Sequence, residues 1–200
     1  MKTKLTTILI MSASLAFGQM NALTQKEKAD GWKLLFDGRS LTGWNQEEAA
    51  KWRVVNHTIL GEAGDGWLRG DDTYSDFLLK VEYRNSPKGN SGVFLRATKE
   101  SKTPEPNPAD GYELQINNED AKYATGSIED VIQRIATVNP APNQWHKFDV
   151  EVRGDHFVAM LDGTKTLDGK DGKIKSGYIG LQHHKDNKVE FRNIKIKPLK

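Results

Sequence analysis

Residues 76–84 read Asp-Phe-Leu-Leu-Lys-Val-Glu-Tyr-Arg, and residues 145–153 read Trp-His-Lys-Phe-Asp-Val-Glu-Val-Arg. In the first stretch Phe77, Leu79, Val81 and Tyr83 share one parity and Lys80, Glu82 and Arg84 the other, with Leu78 as the exception. In the second, Phe148, Val150 and Val152 oppose Lys147, Asp149 and Glu151. Successive side chains of a strand point to opposite faces, so each stretch predicts a strand with one buried face. Working outward, further strands are expected at 32–36, 52–55, 91–97, 112–117, 156–161, 178–184 and 189–197. The apolar parity of the last changes between Phe191 and Ile194, which predicts a bulge near Arg192-Asn193. Asp162-Gly163 between two apolar runs is a hairpin turn signal.

Helix signals are sparse. Residues 46–51 have room for a turn or two, and Ile128, Val131, Ile132 and Ile135 have the i, i+3, i+4, i+7 spacing of a short helix over 127–136. Three prolines make 102–108 an irregular loop, and 19–30 reads as a polar tether. About ten short strands without long helices give an all-β fold. At this length the expectation is a two-sheet antiparallel jelly-roll sandwich over 31–200, one sheet of which curves to form a cleft. No internal repeat suggests a propeller.

Composition narrows the function. The chain has 200 residues, 36% hydrophobic and 28% charged, with 18 glycines and no cysteine. That excludes a disordered chain, a disulfide framework, a thiolate zinc site and a cysteine nucleophile. A formal charge of +2 is too small for a nucleic-acid binder, which needs a clustered basic surface. At the N-terminus Lys2 and Lys4 precede the apolar run 5–17, with Ala16 and Gly18 as small residues ahead of Gln19. This is the pattern of a secretory signal over 1–18, cleaved after Gly18 or, as a second site, after Ala22. The run is too short to span a bilayer, so no membrane span is expected. With no cysteine at the cleavage region no lipoprotein anchor is expected, and the expected location is periplasmic or extracellular.

Several phrases occur in a fixed order: FDGRSLTGW at 36–44, Trp52-Arg53-Val54, YSDFLLKVEYRNSPKGNSGVFLR at 74–96, GYELQI at 111–116, Thr125-Gly126, Leu161-Asp162-Gly163, and GLQHHKDNKVEFRNI at 180–194. Together they resemble the bacterial 3-keto-disaccharide hydrolase family, over the chain from about Gly31 onward. The resemblance implies a concanavalin A-like jelly roll, exported by bacteria that process glycans. It also implies cleavage of sugars already oxidised to a ketone at C3. The sequence departs from the family after Thr125-Gly126, where a small residue, Ile and Tyr are usual and Ser127-Ile128-Glu129 stands here. That side of the cleft is therefore expected to differ.

Parity also picks out the chemistry. In 112–117 it buries Tyr112, Leu114 and Ile116 and puts Glu113, Gln115 and Asn117 on the opposite face. In 91–97 Val93, Leu95 and Ala97 form the buried set and leave Phe94 and Arg96 outside. In 178–184 Tyr178, Gln182 and His184 point outward, with Gly180 leaving room for a ligand and His183 packed inward or at an edge. Three strands thus offer Arg96, Glu113, Gln115, Gln182 and His184 to one surface; the bland alternative is a solvated sandwich face. Related sandwich glycosidases carry Glu-x-Asp-x-Glu on one strand, whereas this strand has amides at the second and third places. Retaining hydrolysis needs two carboxyls about 5 Å apart, so that mechanism is disfavoured.

A 3-keto sugar needs no such pair, because the ketone acidifies the C2 proton and the C1 substituent can leave by elimination before water adds. Such a site requires a base, an acid and something cationic beside the enolate oxygen. Glu113 and His184 are the candidates for base and acid in either order, Arg96 for the cation, and Gln115 and Gln182 for binding sugar hydroxyls. A divalent cation held by Glu113 or His184 could assist or replace Arg96, although no metal motif is visible. Trp67, beside the glycine-rich turn 64–66, is the candidate sugar platform at the cleft edge; Trp44, Trp52 and Trp145 are expected in the core and Trp32 to be structural. The expected partner is a small carbohydrate. A non-catalytic carbohydrate-binding or adhesive module is the alternative function.

Overall fold

The computed structural model describes residues 20–98, 111–117, 119–120, 122–185 and 187–200. The expected signal segment 1–18 and the proline loop 102–108 lie outside these residues. In chain order the elements are α1 (Gln25–Ala29), β1 (Lys33–Leu34), β2 (Trp44–Glu48), β3 (Lys51–Val55), β4 (Thr58–Ala63), β5 (Gly66–Tyr74) and β6 (Phe77–Asn85). They continue with β7 (Ser91–Ala97), β8 (Tyr112–Ile116), β9 (His146–Arg153), β10 (His156–Leu161), β11 (Thr164–Lys170), β12 (Gly177–His183) and β13 (Val189–Pro198).

Two antiparallel sheets face each other. The larger runs β11-β10-β9-β6-β13-β4-β3, with β1 added against β13; the smaller runs β2-β5-β12-β7-β8. The stretches that decide the fold become β6 and β9, paired with Leu79 opposite Val150 and Val81 opposite Phe148. Their apolar parity buries Phe77, Leu79, Val81, Tyr83, Phe148, Val150 and Val152 against Val93, Leu95, Leu114, Ile179 and Leu181 of the other sheet. This is the jelly-roll sandwich the alternation implies. The hairpin at Asp162-Gly163 joins β10 to β11, and the bulge in β13 falls between Arg192 and Lys195, where Asn193 has φ +52°.

Four features differ from the sequence reading. Residues 46–51 carry β2, a turn and the start of β3, with no helix. The span 127–136 is irregular, because Ile128 pairs with both Leu114 and Ile132 and Asp130 turns left-handed at φ +55°. The 19–30 stretch is docked where described. A capping box between Thr24 and Glu27 starts α1, and Glu27 also receives Lys80 at 3.2 Å and Lys195 at 2.9 Å from the outer face of the large sheet. Trp44 and Trp52 are core, but Trp145 lies half-buried between the guanidiniums of Arg84 and Arg192, 4.9 and 3.9 Å from its ring centroid.

Candidate active site

The outer face of the five-stranded sheet carries two rows of side chains in register. One row crosses Asn45, Arg69, Gly180, Phe94 and Glu113; the next crosses Glu47, Trp67, Gln182, Gly92 and Gln115. The two glycines shape this face. A β-carbon at residue 180 would come within 2.8 Å of Trp67 Cζ3, so the indole lies against the sheet there. A β-carbon at residue 92 would come within 2.6 Å of Glu113 Cγ, so Glu113 leans across β7 toward β12. There its Oε2 accepts a hydrogen bond from Gln182 Nε2 at 2.9 Å.

This face is not a solvated surface. Glu113 is 5% exposed and Gln115 1%. Part of the cover is the chain just before and at Glu129, which runs antiparallel to β8: Gln115 N donates to Ser127 O at 2.9 Å and Glu129 N to Glu113 O at 3.0 Å. Glu129 is thereby placed beside Glu113. Gln115 Nε2 donates to Glu129 Oε2 at 2.8 Å, which holds that carboxyl on the side of β8 next to Glu113. Burial, and next the Glu129 charge, push the Glu113 carboxyl well above the usual range. Burial also raises Glu129, although the hydrogen bond from Gln115 opposes the rise. Both carboxyls are raised above the usual range, so they titrate as one coupled unit. Glu113 Oε1 and Gln182 Oε1 are buried with no hydrogen-bond partner among the described residues.

The structure therefore brings Glu113, Gln115, Gln182 and Trp67 onto one face and redistributes the rest. Arg96 is a correction. Leu95 and Arg96 both stand opposite Ile179, because the pairing with β12 jumps from Phe94–Gly180 to Ala97–Tyr178, and Arg96 takes φ +55°. This bulge reverses the parity. Ala97 joins Trp67, Phe94 and Tyr178 on the outer face, while Arg96, 0% exposed, turns into the end of the sandwich. Its guanidinium donates to Ser75 O, Gly154 O and Ile174 O and pairs with Asp76 at 3.0 Å. It is a structural tie between three turns and does not face Glu113.

Trp67 is on the expected face, but it is 1% exposed and packs edge-on to Phe94 at 5.5 Å, so it is a floor and not an edge platform. His184 pairs with Asp65, Nδ1 to Oδ1 at 3.0 Å, rather than with the carboxyl pair. His183 is interior. Sequence reasoning missed Glu129, which the helical spacing around it concealed, and Arg69. Arg69 stacks on Tyr178 at 4.6 Å and pairs with Glu47 at 2.8 Å on the site face. No three His, Asp or Glu side chains among the described residues converge as a metal ion would require.

The family model for 3-keto-alpha-glucoside-1,2-lyase-like domains matches residues 31–197. The chain belongs to this family. A 3-keto-disaccharide hydrolase of Bacteroides thetaiotaomicron is 27% identical, over 94% of this chain and 85% of that protein. Among solved structures, a candidate glycosyl hydrolase of Parabacteroides distasonis superposes with a TM-score of 0.80 at 23% identity, covering 91% of this chain and 100% of that one. The carbohydrate-binding module CBM66 of Bacillus subtilis superposes at 0.61 with 20% identity, covering 76% and 94%. Both establish the sandwich fold. Within the family fold, the carboxyl pair can give and take a proton at neighbouring atoms of one ligand.

Proposed function

We propose that this chain is an exported enzyme that cleaves the glycosidic bond of 3-keto-glycosides, with Glu113 and Glu129 as its proton-transfer pair. The observation that carries this reading is two neighbouring carboxyls on a polar face, Glu113 buried and held by Gln182 and Glu129 held by Gln115. A pure binding module gains nothing from burying Glu113 beside a second, half-buried acid, since a buried carboxyl is costly without a partner. The ketone substrate is inferred from the family and from the B. thetaiotaomicron relative.

In this reading the ionised carboxylate takes the C2 proton, and the C2–H electron pair forms the enolate of the C3 ketone. Collapse of the enolate restores C3=O, forms a C1–C2 double bond and breaks C1–O. The leaving glycosidic oxygen takes the proton of the neutral carboxyl. The carboxyl that gave its proton then takes one from water as hydroxide adds to C1, the other carboxyl returns a proton to C2, and both regain their starting states. Two adjacent carboxyls suit two adjacent sites of proton transfer, C2 and the oxygen on C1. The unpartnered Gln182 Oε1 accepts a sugar hydroxyl.

The test is turnover of 3-keto-trehalose by the purified protein in D₂O. The expected product carries deuterium at C2. Product without C2 deuterium overturns the elimination route, and binding without turnover moves the chain to the carbohydrate-binding alternative. Export rests on the pattern of residues 1–18. Mass spectrometry of the periplasmic protein is expected to give Gln19 as the first residue, and an intact Met1 would refute it.

A further inference from the structure

A second cavity, of about 290 Å³, lies at the end of the sandwich where the β6–β7 turn, the segment after β8 and the approach to β9 meet. It is separate from the carboxyl site, because it is lined by Ile116, whose side chain is on the core face of β8, opposite to that of Glu113. Its walls are mostly apolar and stiff: Tyr83, Pro87, Ile116, Pro140, Ala141 and Pro142. Two polar atoms break this lining. The Tyr83 hydroxyl and Asn85 Oδ1 are buried and have no hydrogen-bond partner among the described residues. Such groups are costly in a folded protein unless something else satisfies them.

The surroundings hold both atoms in place. The Tyr83 ring stacks on Phe148 at 5.4 Å, and Asn85 Nδ2 is fixed by Gly89 O at 2.7 Å, which leaves Oδ1 free. His146 links Asp162 at 2.7 Å to Ala141 O at 2.9 Å, and Asn143 N donates to Asn85 O at 2.8 Å, so the proline wall is pinned. The hydroxyl of Tyr83 is kept neutral by burial. At the mouth, Lys88 and Glu119 are exposed and opposite in charge, which gives no preference for an ion of either sign.

We propose that this cavity is a second sugar site that takes one neutral pyranose. A sugar hydroxyl can donate to Asn85 Oδ1 and another can accept from Tyr83, while the ring's C–H faces contact the prolines and Ile116. The volume lies at the lower limit of small-molecule sites and suits one ring, not a chain of them. Nothing in this chemistry depends on whether the Glu113 face is catalytic.

The test is a titration of the full chain with D-glucose, followed by amide chemical shifts. Saturable shifts are expected at Asn85, Ser86, Gly89 and Asn143 to His146, with the same affinity in Glu113→Gln. Tyr83→Phe removes only a hydroxyl without a protein partner, so its fold should hold, and its affinity should fall about tenfold, the loss of one such bond. Ala141→Trp, at the exposed rim, should block the shifts by filling the cavity. The proposal is overturned if these amides show no saturable shift, if Tyr83→Phe leaves the affinity unchanged, or if the shifts vanish in Glu113→Gln.

Discussion

Glu113 occupies the space that a side chain at Gly92 would need: a β-carbon there would lie 2.6 Å from Glu113 Cγ and 2.8 Å from its Cδ. The missing side chain on β7 is what allows a carboxyl on β8 to reach Gln182 on β12. Gly92 is not among the residues with positive φ, so alanine suits its backbone and only the contact is tested. Gly92→Ala should push Glu113 off Gln182 and lower kcat by about 10²-fold, the usual result of a misplacement near 1 Å. Overpacking should cost about 1–3 kcal/mol of stability. Steady-state kinetics and thermal melts read both; unchanged kcat would show that the position of Glu113 does not matter.

Glu113→Gln reproduces the shape and hydrogen bonding of the neutral acid but cannot transfer a proton. It should lower kcat by about 10²–10⁴-fold with a much smaller effect on KM. Its effect on stability should have the opposite sign. The folded-state pKa of Glu113 is raised, so its contribution to stability is full below the unfolded carboxyl value and is lost as pH rises toward the folded value. Wild type should therefore lose stability relative to Glu113→Gln by up to about 1.4 kcal/mol per pH unit above the unfolded value. Denaturant melts at several pH values check the slope.

Glu129 helps to hold the Glu113 proton. Glu129→Gln removes that negative charge, so the ionisation of Glu113 should shift to lower pH. The pH–rate profile of the variant should move in the acid direction along with a loss of kcat. A profile that keeps its position at lower height would mean that Glu129 does not set the ionisation of its neighbour.

Arg96 should behave as a structural residue. Arg96→Ala strands three backbone carbonyls and Asp76, and should cost about 2–4 kcal/mol. Arg96→Lys should recover little, because one ammonium cannot reproduce the fork of contacts. Protein that remains folded should keep a kcat within a few-fold of wild type. A loss of kcat without a loss of stability would return Arg96 to the chemistry.

Glu27 ties α1 to the large sheet. Burial raises its pKa, but hydrogen bonds from Lys195, the Thr24 amide and Lys80 bring it down to about 2. A lowered carboxyl contributes stability above its unfolded value, and that contribution is lost as pH falls through about 2. Glu27→Gln should cost about 1–2 kcal/mol at neutral pH after allowance for solvent screening, with the deficit closing below the unfolded carboxyl value. A deficit independent of pH would point to lost packing instead.

The sandwich was legible because β6 and β9 alternate cleanly, and the parity of β8 and β12 placed Glu113, Gln115 and Gln182 on one face. Parity failed where the backbone inserted a residue. Arg96 adopts a left-handed φ without being Gly or Asn, so no residue type marked the bulge that turned it inward. Glu129 was hidden because four apolar residues at helical spacing competed with a short extended pairing of only a few bonds. Trp67 looked like part of a turn because of the glycines before it, but Gly66 is already the first residue of β5 and the indole fits over Gly180.

The docking of α1 also bears on how the protein can be handled. Asn21 is held by Asn193 and His57 O, and Glu27 by two lysines, all on the large sheet, whereas Glu113 belongs to the outer face of the small one. The chain therefore enters the fold from the side opposite to the carboxyl pair. An affinity handle, a fluorophore or a linker to a solid support joined ahead of Asn21 would sit behind the molecule and leave the carboxyl face free.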